Sequence, residues 1–487
     1  MSAHSDRDAV SGLGRVLRRL PRALLLVSLG AYCYAFAWLL HLRHSRFATL
    51  DFDLGIFDQN VWLLAHGRSF LTTRGLEVFG HHANFGHLLL VPFYWLGAGP
   101  NFLDNVMVAS VAAAAVVVFR MAARLSGSEW IALALALAFA WQPTTTWLLQ
   151  ESYHPEVMAI LPLFLAFDAG QQRRWRAYAL WLLLAVSFKE DVALAALMLG
   201  VLVAVRGHRK AGIVTALAAL AYFVLVIEVL IPHYAPQGAF YQQFYGHLGA
   251  TPGSAVGTVL TAPQRVFNQL RSAGAAGYAR DMTIGYGFSP WLSPLPLLIG
   301  LPQFAANLLS QHSFTWSPRL HYAALVLAAA TLGMVEGVCC RRRVRHRWLL
   351  AVLVVACTAS TTLTRGIGPG SVDFRAGYWP LVNGPRYATL AKAVALPGPS
   401  DAVAATYNLV PHLTHREFIY RFPNPWRASD WGVRGENPQD PAGVDWLVLD
   451  KLVLGTEDRA LLDQLIAGGQ WSVSLDRRDV LVLRRKR

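Results

Sequence analysis

An acidic stretch early in the chain is the first candidate for chemistry. It carries Asp51, Asp53 and Asp58. Apolar residues recur at helical spacing after it, and they are Leu54, Phe57, Val61, Trp62 and Ala65. This spacing predicts an amphipathic helix that lies in a membrane interface, with Asp53 at its N-terminus. The Asp53 carboxylate either caps the helix or takes a proton from an acceptor hydroxyl group, and spacing alone favours the cap because Asp is a common capping residue.

Three histidines, His81, His82 and His87, follow in the same part of the chain. Histidines can ligate a metal ion, but this spacing matches no tight metal-binding motif. We therefore interpret His81 and His82 as ordinary polar residues of an interfacial loop. His87 is kept as a candidate substrate-binding residue.

A charged turn, Glu151-Ser-Tyr-His154-Pro155-Glu156, separates two apolar runs. Pro155 biases the backbone of His154 away from helix, so His154 and Glu156 belong to a loop. This pair can bind a metal ion, the counter-ion of a phosphate or a sugar. The alternative is a solvated turn that only separates two helices, and the two interpretations carry equal weight because ionisable residues at a membrane edge are commonly functional.

Three adjacent charged residues, Lys189, Glu190 and Asp191, separate two short apolar runs. Such charges are costly in apolar surroundings unless they are paired or face water. One hypothesis, which we favour, is that Lys189 binds the phosphate of a lipid-linked substrate. The other is that the three residues neutralise one another and hold a hairpin.

Arg319, His321 and Tyr322 stand at the start of a later apolar run. Arginine suits the bidentate binding of phosphate. The alternative is that these residues anchor a helix end in the interface, as aromatic residues commonly do.

The composition indicates the kind of structure that must position these residues. The 487-residue chain is 54% hydrophobic and 15% charged, with a mean hydropathy of +0.36. Ordinary soluble domains carry about 25% charged residues, so the composition indicates a membrane protein. The net charge of +14 is spread over short clusters between apolar runs, as in positive-inside loops, and this argues against a nucleic-acid partner.

Long apolar runs predict the membrane helices. They cover residues 23–42, 103–119, 130–149, 157–170, 177–188, 192–205, 211–231, 322–338 and 348–363. Residues 290–310 are interrupted by prolines and are predicted to form a broken or re-entrant pair. Together the runs predict a polytopic α-helical membrane protein with roughly 9–12 membrane helices, short and re-entrant ones included.

Basic clusters orient the chain, because such clusters stay in the cytoplasm. Residues 1–22 are then cytoplasmic and residues 23–364 form the membrane domain, with outside loops at 43–102 and 232–290. Residues 365–487 are mixed and polar, and they predict a small extracytoplasmic α/β domain. Its predicted strands and helix cover residues 402–407, 417–422, 444–449, 480–483 and 457–467.

In their order along the chain, these motifs resemble a family of predicted membrane proteins known as domain of unknown function 2079. The likeness rests on Asp53-Leu-Gly-Ile-Phe-Asp-Gln59 with Trp62, His154-Pro-Glu156, Lys189-Glu-Asp191, His321-Tyr322, Pro411-His-Leu-Thr-His-Arg416 and Tyr420-Arg-Phe-Pro423. That family looks like a branch of the GT-C glycosyltransferase superfamily. Relatives in the superfamily include protein O-mannosyltransferases and lipid A aminoarabinose transferases.

The resemblance implies a polytopic enzyme of the bacterial inner membrane. Such an enzyme takes a sugar from a polyprenyl-phosphate donor and transfers it, usually with inversion, to an envelope glycan, lipid or protein outside the cytoplasm. Carried over, Asp53 is the general base, Asp51 and Asp58 are further catalytic candidates, and a divalent metal is left open as a cofactor. Lys189 and Arg319 are candidate contacts of the donor phosphate. The complete set of substrate-binding candidates is His87, His154, Glu156, Lys189, Glu190, Asp191, Arg319, His321 and Tyr322.

Two other functions fit the same features. Broken helices and charges at membrane depth also suit a transporter or flippase for a lipid-linked or anionic solute. A non-catalytic envelope assembly protein, with the C-terminal domain as its binding module, is the third possibility.

Overall fold

The computed structural model describes residues 2–249 and 252–486, with side chains from residue 19 onward except at 252, 255 and 256. Most of the described chain is helical. The helices of eight or more residues are α1 (Ser2–Ser45), α2 (Ile56–Ala65), α3 (Pro100–Ser126), α4 (Glu129–Trp141), α5 (Pro143–Gln150), α6 (Pro155–Gln171), α7 (Trp175–Val186), α8 (Val192–Val205), α9 (Arg209–Leu225), α10 (Pro252–Thr261), α11 (Pro263–Ser272), α12 (Ala275–Ile284), α13 (Leu301–Leu309), α14 (Ala324–Cys339), α15 (Val344–Arg365), α16 (Pro385–Val394) and α17 (Thr456–Ala467).

Five helical segments among the described residues are long and apolar enough to cross a membrane. They are Arg19–Ser45, Pro100–Ser126, Arg209–Tyr234, His321–Cys339 and Val344–Arg365. Together with shorter apolar helices such as α7 and α8, they confirm the predicted polytopic helical architecture.

The apolar run 130–149 is broken rather than continuous. Its two halves, α4 and α5, meet at an angle of 43° and count as a sixth span only when taken together. The break falls at Gln142, which is extended with ψ 149°, and at Pro143, which follows it. Proline lacks an N–H group and disfavours helix in the residue before it, so the bend has a local cause.

Charged pairs bring the basic clusters together at one end of the helical bundle. Arg22 is bonded to Glu129, which joins the first span to the start of α4. Nη2 of Arg206 lies 2.7 Å from Oε2 of Glu336, which joins the end of α8 to the end of α14. We call this end of the bundle the basic end and the opposite end the site end.

The proline-rich segment 285–309 runs along α14 to the basic end and then turns back to the site end. It begins at the site end, where α12 carries Asp281. Its middle reaches the basic end, where the carbonyl oxygen of Leu292 accepts a hydrogen bond from Arg341 (3.0 Å). It returns through α13, where Asn307 donates to the carbonyl oxygen of Tyr322 at the site end (2.9 Å). The segment enters and leaves at the same end, which confirms the predicted broken pair.

A five-stranded sheet forms the centre of the C-terminal region. Its strands are β1 (Val403–Ala405), β2 (Ile419–Arg421), β3 (Trp446–Asp450), β4 (Trp471–Arg477) and β5 (Val480–Arg485), in the order β2-β1-β3-β5-β4. β1 is parallel to β2 and β3, whereas β5 is antiparallel to β3 and β4. Four strands and α17 agree with the prediction. Neither α16 nor the mostly exposed β4 was predicted.

The acidic stretch packs against this C-terminal region. Asp58, Gln59 and Asn60 of α2 are fully buried. Nε2 of Gln59 lies 3.4 Å from the carbonyl oxygens of Arg416 and Glu417. The prediction of an amphipathic helix in the interface is therefore wrong, because the polar face of α2 meets the C-terminal region instead of water.

Candidate functional site

Asp53 lies in a π-helical turn, Asp51–Gly55, directly before α2. Leu50 is the N-cap of this turn and no side chain caps it, so the capping role that spacing favoured is wrong. The carboxylate instead faces the turn before α6, where its Oδ1 lies 3.5 Å from Nε2 of His154. The Asp53 side chain is 21% exposed and therefore borders an accessible space.

His154 is held from three directions. Its backbone is extended (φ −136°, ψ 134°), as expected for a residue before proline. Its Nδ1 lies 3.1 Å from the carbonyl oxygen of Ser152, so Nδ1–H donates there and Nε2 points to Asp53. Its ring also stacks on His321, with centroids 4.1 Å apart.

His321 connects α14 to the turn before α6. Its Nδ1 lies 2.9 Å from Oε1 of Glu151, and its backbone N–H donates to the same carboxylate. Its Nε2 lies 3.9 Å from Oε1 of Glu156. The structure therefore brings together four predicted residues, Asp53, His154, Glu156 and His321, and adds Glu151.

The charged triplet between α7 and α8 reaches outward from its hairpin. The Lys189 ammonium is bonded to Glu156 and lies 3.7 Å from Oδ2 of Asp191. Glu190 faces the other way, and its Oε1 lies 2.7 Å from Nδ1 of His82. The triplet therefore ties the hairpin both to α6 and to the loop after α2. Self-neutralisation within the triplet accounts for only the contact between Lys189 and Asp191.

The three loop histidines are buried. His81 and His82 pack against Phe240, with ring centroids 5.0 and 5.4 Å apart. The interpretation of both as ordinary interfacial loop residues is therefore wrong. Nδ1 of His87 lies 2.9 Å from Oδ1 of Asn60, and burial lowers the pKa of His87 to about 3. A neutral His87 thus supports α2 from within the protein.

The other two aspartates of the acidic stretch contact the C-terminal region. Asp58 accepts a hydrogen bond from the Thr414 hydroxyl and lies 3.2 Å from Nε2 of His415. Asp51 lies 3.6 Å from Nε of Arg421, and burial raises the pKa of Asp51 to about 7 against the effect of that arginine. These partners lie outside the cluster around His154.

Arg319 and Tyr322 stand on either side of His321. The Tyr322 ring lies 4.0 Å from that of His321, so it borders the cluster. The Arg319 guanidinium lies over the ring of Trp147, 4.6 Å from its centroid. Arg319 and Trp147 together line a neighbouring cavity.

The carboxylates determine the charge of His154. Burial opposes protonation of His154, yet the negative charges of Glu151 and Asp53 raise its pKa to about 9. Burial likewise opposes ionisation of Asp53. However, the hydrogen bond from His154 and its positive charge hold the pKa of Asp53 below its ordinary value. At neutral pH the pair is therefore an ionised carboxylate beside an imidazolium.

Glu151, His154 and His321 are also the residues that could hold a metal ion. One ligand atom of each lies within 4.8 Å of the others, and nitrogen and oxygen ligands suit Zn²⁺. However, the two rings lie only 14° from parallel. An ion lies in the plane of each imidazole that binds it, and two nearly parallel stacked rings share no such point. The arrangement as it stands favours ion pairs, and metal binding requires one ring to turn.

Glu151 was not predicted as part of this cluster, and Arg280, Asp281 and Arg365, which line a neighbouring cavity, were not predicted as candidates. Glu151 belongs to the charged turn already singled out, so its position at the end of an apolar run was an available signal. Arg365 and Asp281 are 3.1 Å apart in space but 84 positions apart in the chain, and no local pattern connects them.

The helical bundle with a small sheet region at its site end is a fold that a solved structure shares. The structure matches the crystal structure of ArnT from Cupriavidus metallidurans in the apo state, with a TM-score of 0.52 and 14% identity. The match covers 97% of this chain and 98% of ArnT. The chain belongs to the family described as predicted membrane protein (DUF2079), whose model matches residues 43–482. No curated protein matches the sequence significantly.

Proposed function

We propose that this protein is a GT-C glycosyltransferase that moves a sugar from a polyprenyl-phosphate donor to an acceptor in the cell envelope, with inversion. The fold and the family support this class of enzyme. The observation that carries the proposal is the Asp53 carboxylate, which is partly exposed, ionised at neutral pH and oriented by His154.

Asp53 is the general base of the proposed reaction. The acceptor hydroxyl oxygen attacks the anomeric carbon of the sugar, and its proton passes to the Asp53 carboxylate. The bond between the anomeric carbon and the phosphate oxygen breaks, and its electron pair leaves with the lipid phosphate. A single base and stabilisation of the leaving phosphate suffice for such a transfer.

The surrounding residues position this base and bind the sugar. His154 orients Asp53, and Glu156, His321 and Tyr322 offer hydrogen-bonding groups to sugar hydroxyls. Lys189 is a positioning residue, because its ammonium is already bonded to Glu156. A second set of polar residues, Asp51, Asp58, His87 and Glu190, supports the surrounding elements through the contacts described above.

The proposal places the site end outside the cytoplasm. The basic clusters gather at the opposite end of the bundle, as expected for cytoplasmic loops. Residues 1–22 are then cytoplasmic and residues 365–487 are extracytoplasmic. The acceptor is accordingly a glycan, lipid or protein of the envelope.

A complementation experiment tests the role of Asp53. A strain that lacks the gene receives the wild type, Asp53→Asn or Asp463→Asn, and envelope glycans and glycolipids are compared by mass spectrometry. Asp463 is exposed on α17 and serves as a matched control. We expect Asp53→Asn to lower the product by about 10²–10⁴-fold, the usual contribution of a general base, and Asp463→Asn to restore it fully.

Other results point to other functions. Full restoration by Asp53→Asn overturns the general base. If the purified wild type and Asp53→Asn also move an intact lipid-linked sugar across a vesicle membrane, the protein is a flippase or transporter. If only truncation of the C-terminal region causes a defect, the protein is a non-catalytic assembly factor.

A further inference from the structure

A cavity lined by arginines lies at the site end, next to the cluster around His154. Its volume is about 360 Å³. Its walls come from α5, α12, the end of α15 and the segment before α14. The charged residues of the lining are Arg280, Asp281, Arg319 and Arg365.

The charges of this cavity suit a dianion. Three guanidinium groups and one carboxylate leave an excess of two positive charges. Oδ1 of Asp281 lies 2.9 Å from Nη2 of Arg280 and 3.1 Å from Nη1 of Arg365, so one carboxylate orients both arginines. Each guanidinium has five N–H donors, and most of them stay available to a ligand. Oriented guanidinium groups of this kind bind phosphate oxygens well.

An apolar groove lies next to the cavity, on the side of the basic end. It lies between α4 and α15, and its volume is about 350 Å³. Trp141, Ala359 and Thr362 are among its lining residues, whereas Thr361 and Arg365 of the same helix line the cavity. On α15, the residues that line the groove and those that line the cavity therefore lie within about one helical turn, 5.4 Å, of each other.

We propose that the cavity binds the phosphate of a membrane lipid and that the groove takes the adjoining part of its hydrocarbon chain. The excess charge of two fits a phosphate monoester, which carries about −1.5 to −2 at neutral pH, better than a singly charged diester. The inference rests on the proposed glycosyl transfer, in which the lipid monophosphate is the leaving group. The arginines then stabilise the negative charge that develops on this phosphate as the sugar departs.

The cavity is close enough to Asp53 for this role. Trp147 lines the cavity, and Glu151 follows it after about one helical turn, 5.4 Å. Arg319 precedes His321 by two residues, so their Cα atoms lie no more than about 7 Å apart. A phosphate among the arginines therefore brings its attached sugar to the edge of the carboxylate cluster.

Lys189 is less suited to the phosphate. Its ammonium is bonded to Glu156 and lies 3.7 Å from Asp191, so its charge is already compensated. Further carboxylates around it repel an incoming anion. The structure thus separates a carboxylate cluster for proton transfer from an arginine cavity for the leaving group.

Binding of farnesyl phosphate to the full-length protein in detergent tests this assignment. Arg280→Gln and Arg365→Gln are each expected to weaken binding by about tenfold or more, since each removes a charge-assisted contact. Arg375→Gln removes an exposed arginine of the C-terminal region and is the matched control. Ala359→Trp fills the groove and should weaken farnesyl phosphate but not inorganic phosphate. Val352→Trp, at an exposed position of the same helix, should change neither.

The outcomes separate the parts of the proposal. Unchanged affinity in both arginine variants overturns the phosphate site. Equal affinity for farnesyl and inorganic phosphate, with no effect of Ala359→Trp, overturns the lipid part. Equal affinity for farnesyl phosphate and its methyl diester overturns the leaving-group role. Thermal unfolding of each variant, matched to the wild type, excludes misfolding as the cause.

The test is independent of the test of the proposed function. Asp53→Asn should bind farnesyl phosphate as the wild type does. If this binding is intact while Asp53→Asn still yields normal envelope glycans, the lipid site stands and the transferase mechanism falls. If Asp53→Asn is inactive while the arginine variants bind normally, the transferase stands and the cavity assignment falls.

Discussion

Nε2 of His154 lies 3.5 Å from Oδ1 of Asp53, and this ion pair joins the first long loop of the chain to the turn before α6. Each partner changes the pKa of the other, upward for His154 and downward for Asp53. Salt screens buried charges less than exposed ones, so the pair retains its effect at physiological ionic strength. Any reaction that uses Asp53 should therefore depend on His154 through pH.

Replacement of His154 should change the pH profile of the reaction. In His154→Gln, Asp53 loses the hydrogen bond and the positive charge of His154, which lower its pKa most. Burial continues to raise the pKa of Asp53. The acid limb of the rate profile should move to higher pH by roughly one unit or more, the usual effect of one nearby charge. His66→Gln, at an exposed histidine after α2, is the control and should leave the limb in place. A reduced rate with no shift of the limb would mean that His154 has only a packing role.

His154 should also make stability depend on pH. Its pKa is about 9 in the folded protein against an ordinary value of 6.5. The stabilisation is therefore fully present below about pH 6.5 and is lost as the pH rises through about 9. The apparent Tm of the wild type should exceed that of His154→Gln by a margin that shrinks between pH 7 and pH 10. A constant margin would contradict the raised pKa.

The contact between Lys189 and Glu156 should behave as a buried ion pair. Lys189→Met leaves the Glu156 carboxylate buried without its partner and should cost about 3–5 kcal/mol of stability. Adding Glu156→Gln removes the unpaired charge and should restore part of that loss. Thermal unfolding of the two single variants and the double variant measures the coupling. Additive losses would show that the two residues do not interact.

The re-entrant segment should be sensitive to the size of one glycine. A Cβ atom at Gly337 would lie 2.2 Å from the carbonyl oxygen of Ser289, so Gly337→Ala must displace the segment. We expect a loss of about 1–3 kcal/mol, as for other overpacked positions. Gly30→Ala in α1 meets nothing within 4 Å and should be neutral or slightly stabilising. Equal apparent Tm values for the two variants would contradict the close contact.

Asp58 should hold the C-terminal region against α2. Asp58→Asn removes the charge that Thr414 and His415 contact and should cost about 1–3 kcal/mol. The expected signs are faster proteolysis of the C-terminal region and a loss of product, because α2 also carries the turn with Asp53. Asp463→Asn is again the matched control. Normal proteolysis in Asp58→Asn would assign the docking to other contacts.

Local patterns were sufficient for much of the fold. Apolar runs located the long helices, and the prolines of 290–310 predicted the broken pair. Short strand-like runs predicted four of the five strands but not β4, which is mostly exposed. These features depend on neighbours within a few residues, and such neighbours are visible in a sequence.

The partners of the polar residues could not be predicted, because these partners lie far away along the chain. The spacing around Asp53 favours a helix cap, but its partner His154 comes from a distant turn. Asp58 is a further catalytic candidate from its sequence, yet its partner Thr414 lies 356 positions away. A sequence without aligned relatives carries no record of such distant pairs. The motifs therefore indicated which residues matter but not what they contact.

The contacts between the early part of the chain, residues 51–74, and the C-terminal region have a consequence for how the protein is made. Gln59 contacts residues near position 416, and Gly432 donates to the carbonyl oxygen of Arg74 (2.7 Å). Chains fold from the N-terminus as they are synthesised, so the early loop must wait for nearly the whole chain before it is ordered. The helices can enter the membrane one after another while Asp53 remains without its final surroundings. Completion of the cluster around Asp53 is then among the last steps of biogenesis, and a ribosome that stops early leaves an inserted protein in which Asp53 lacks these surroundings.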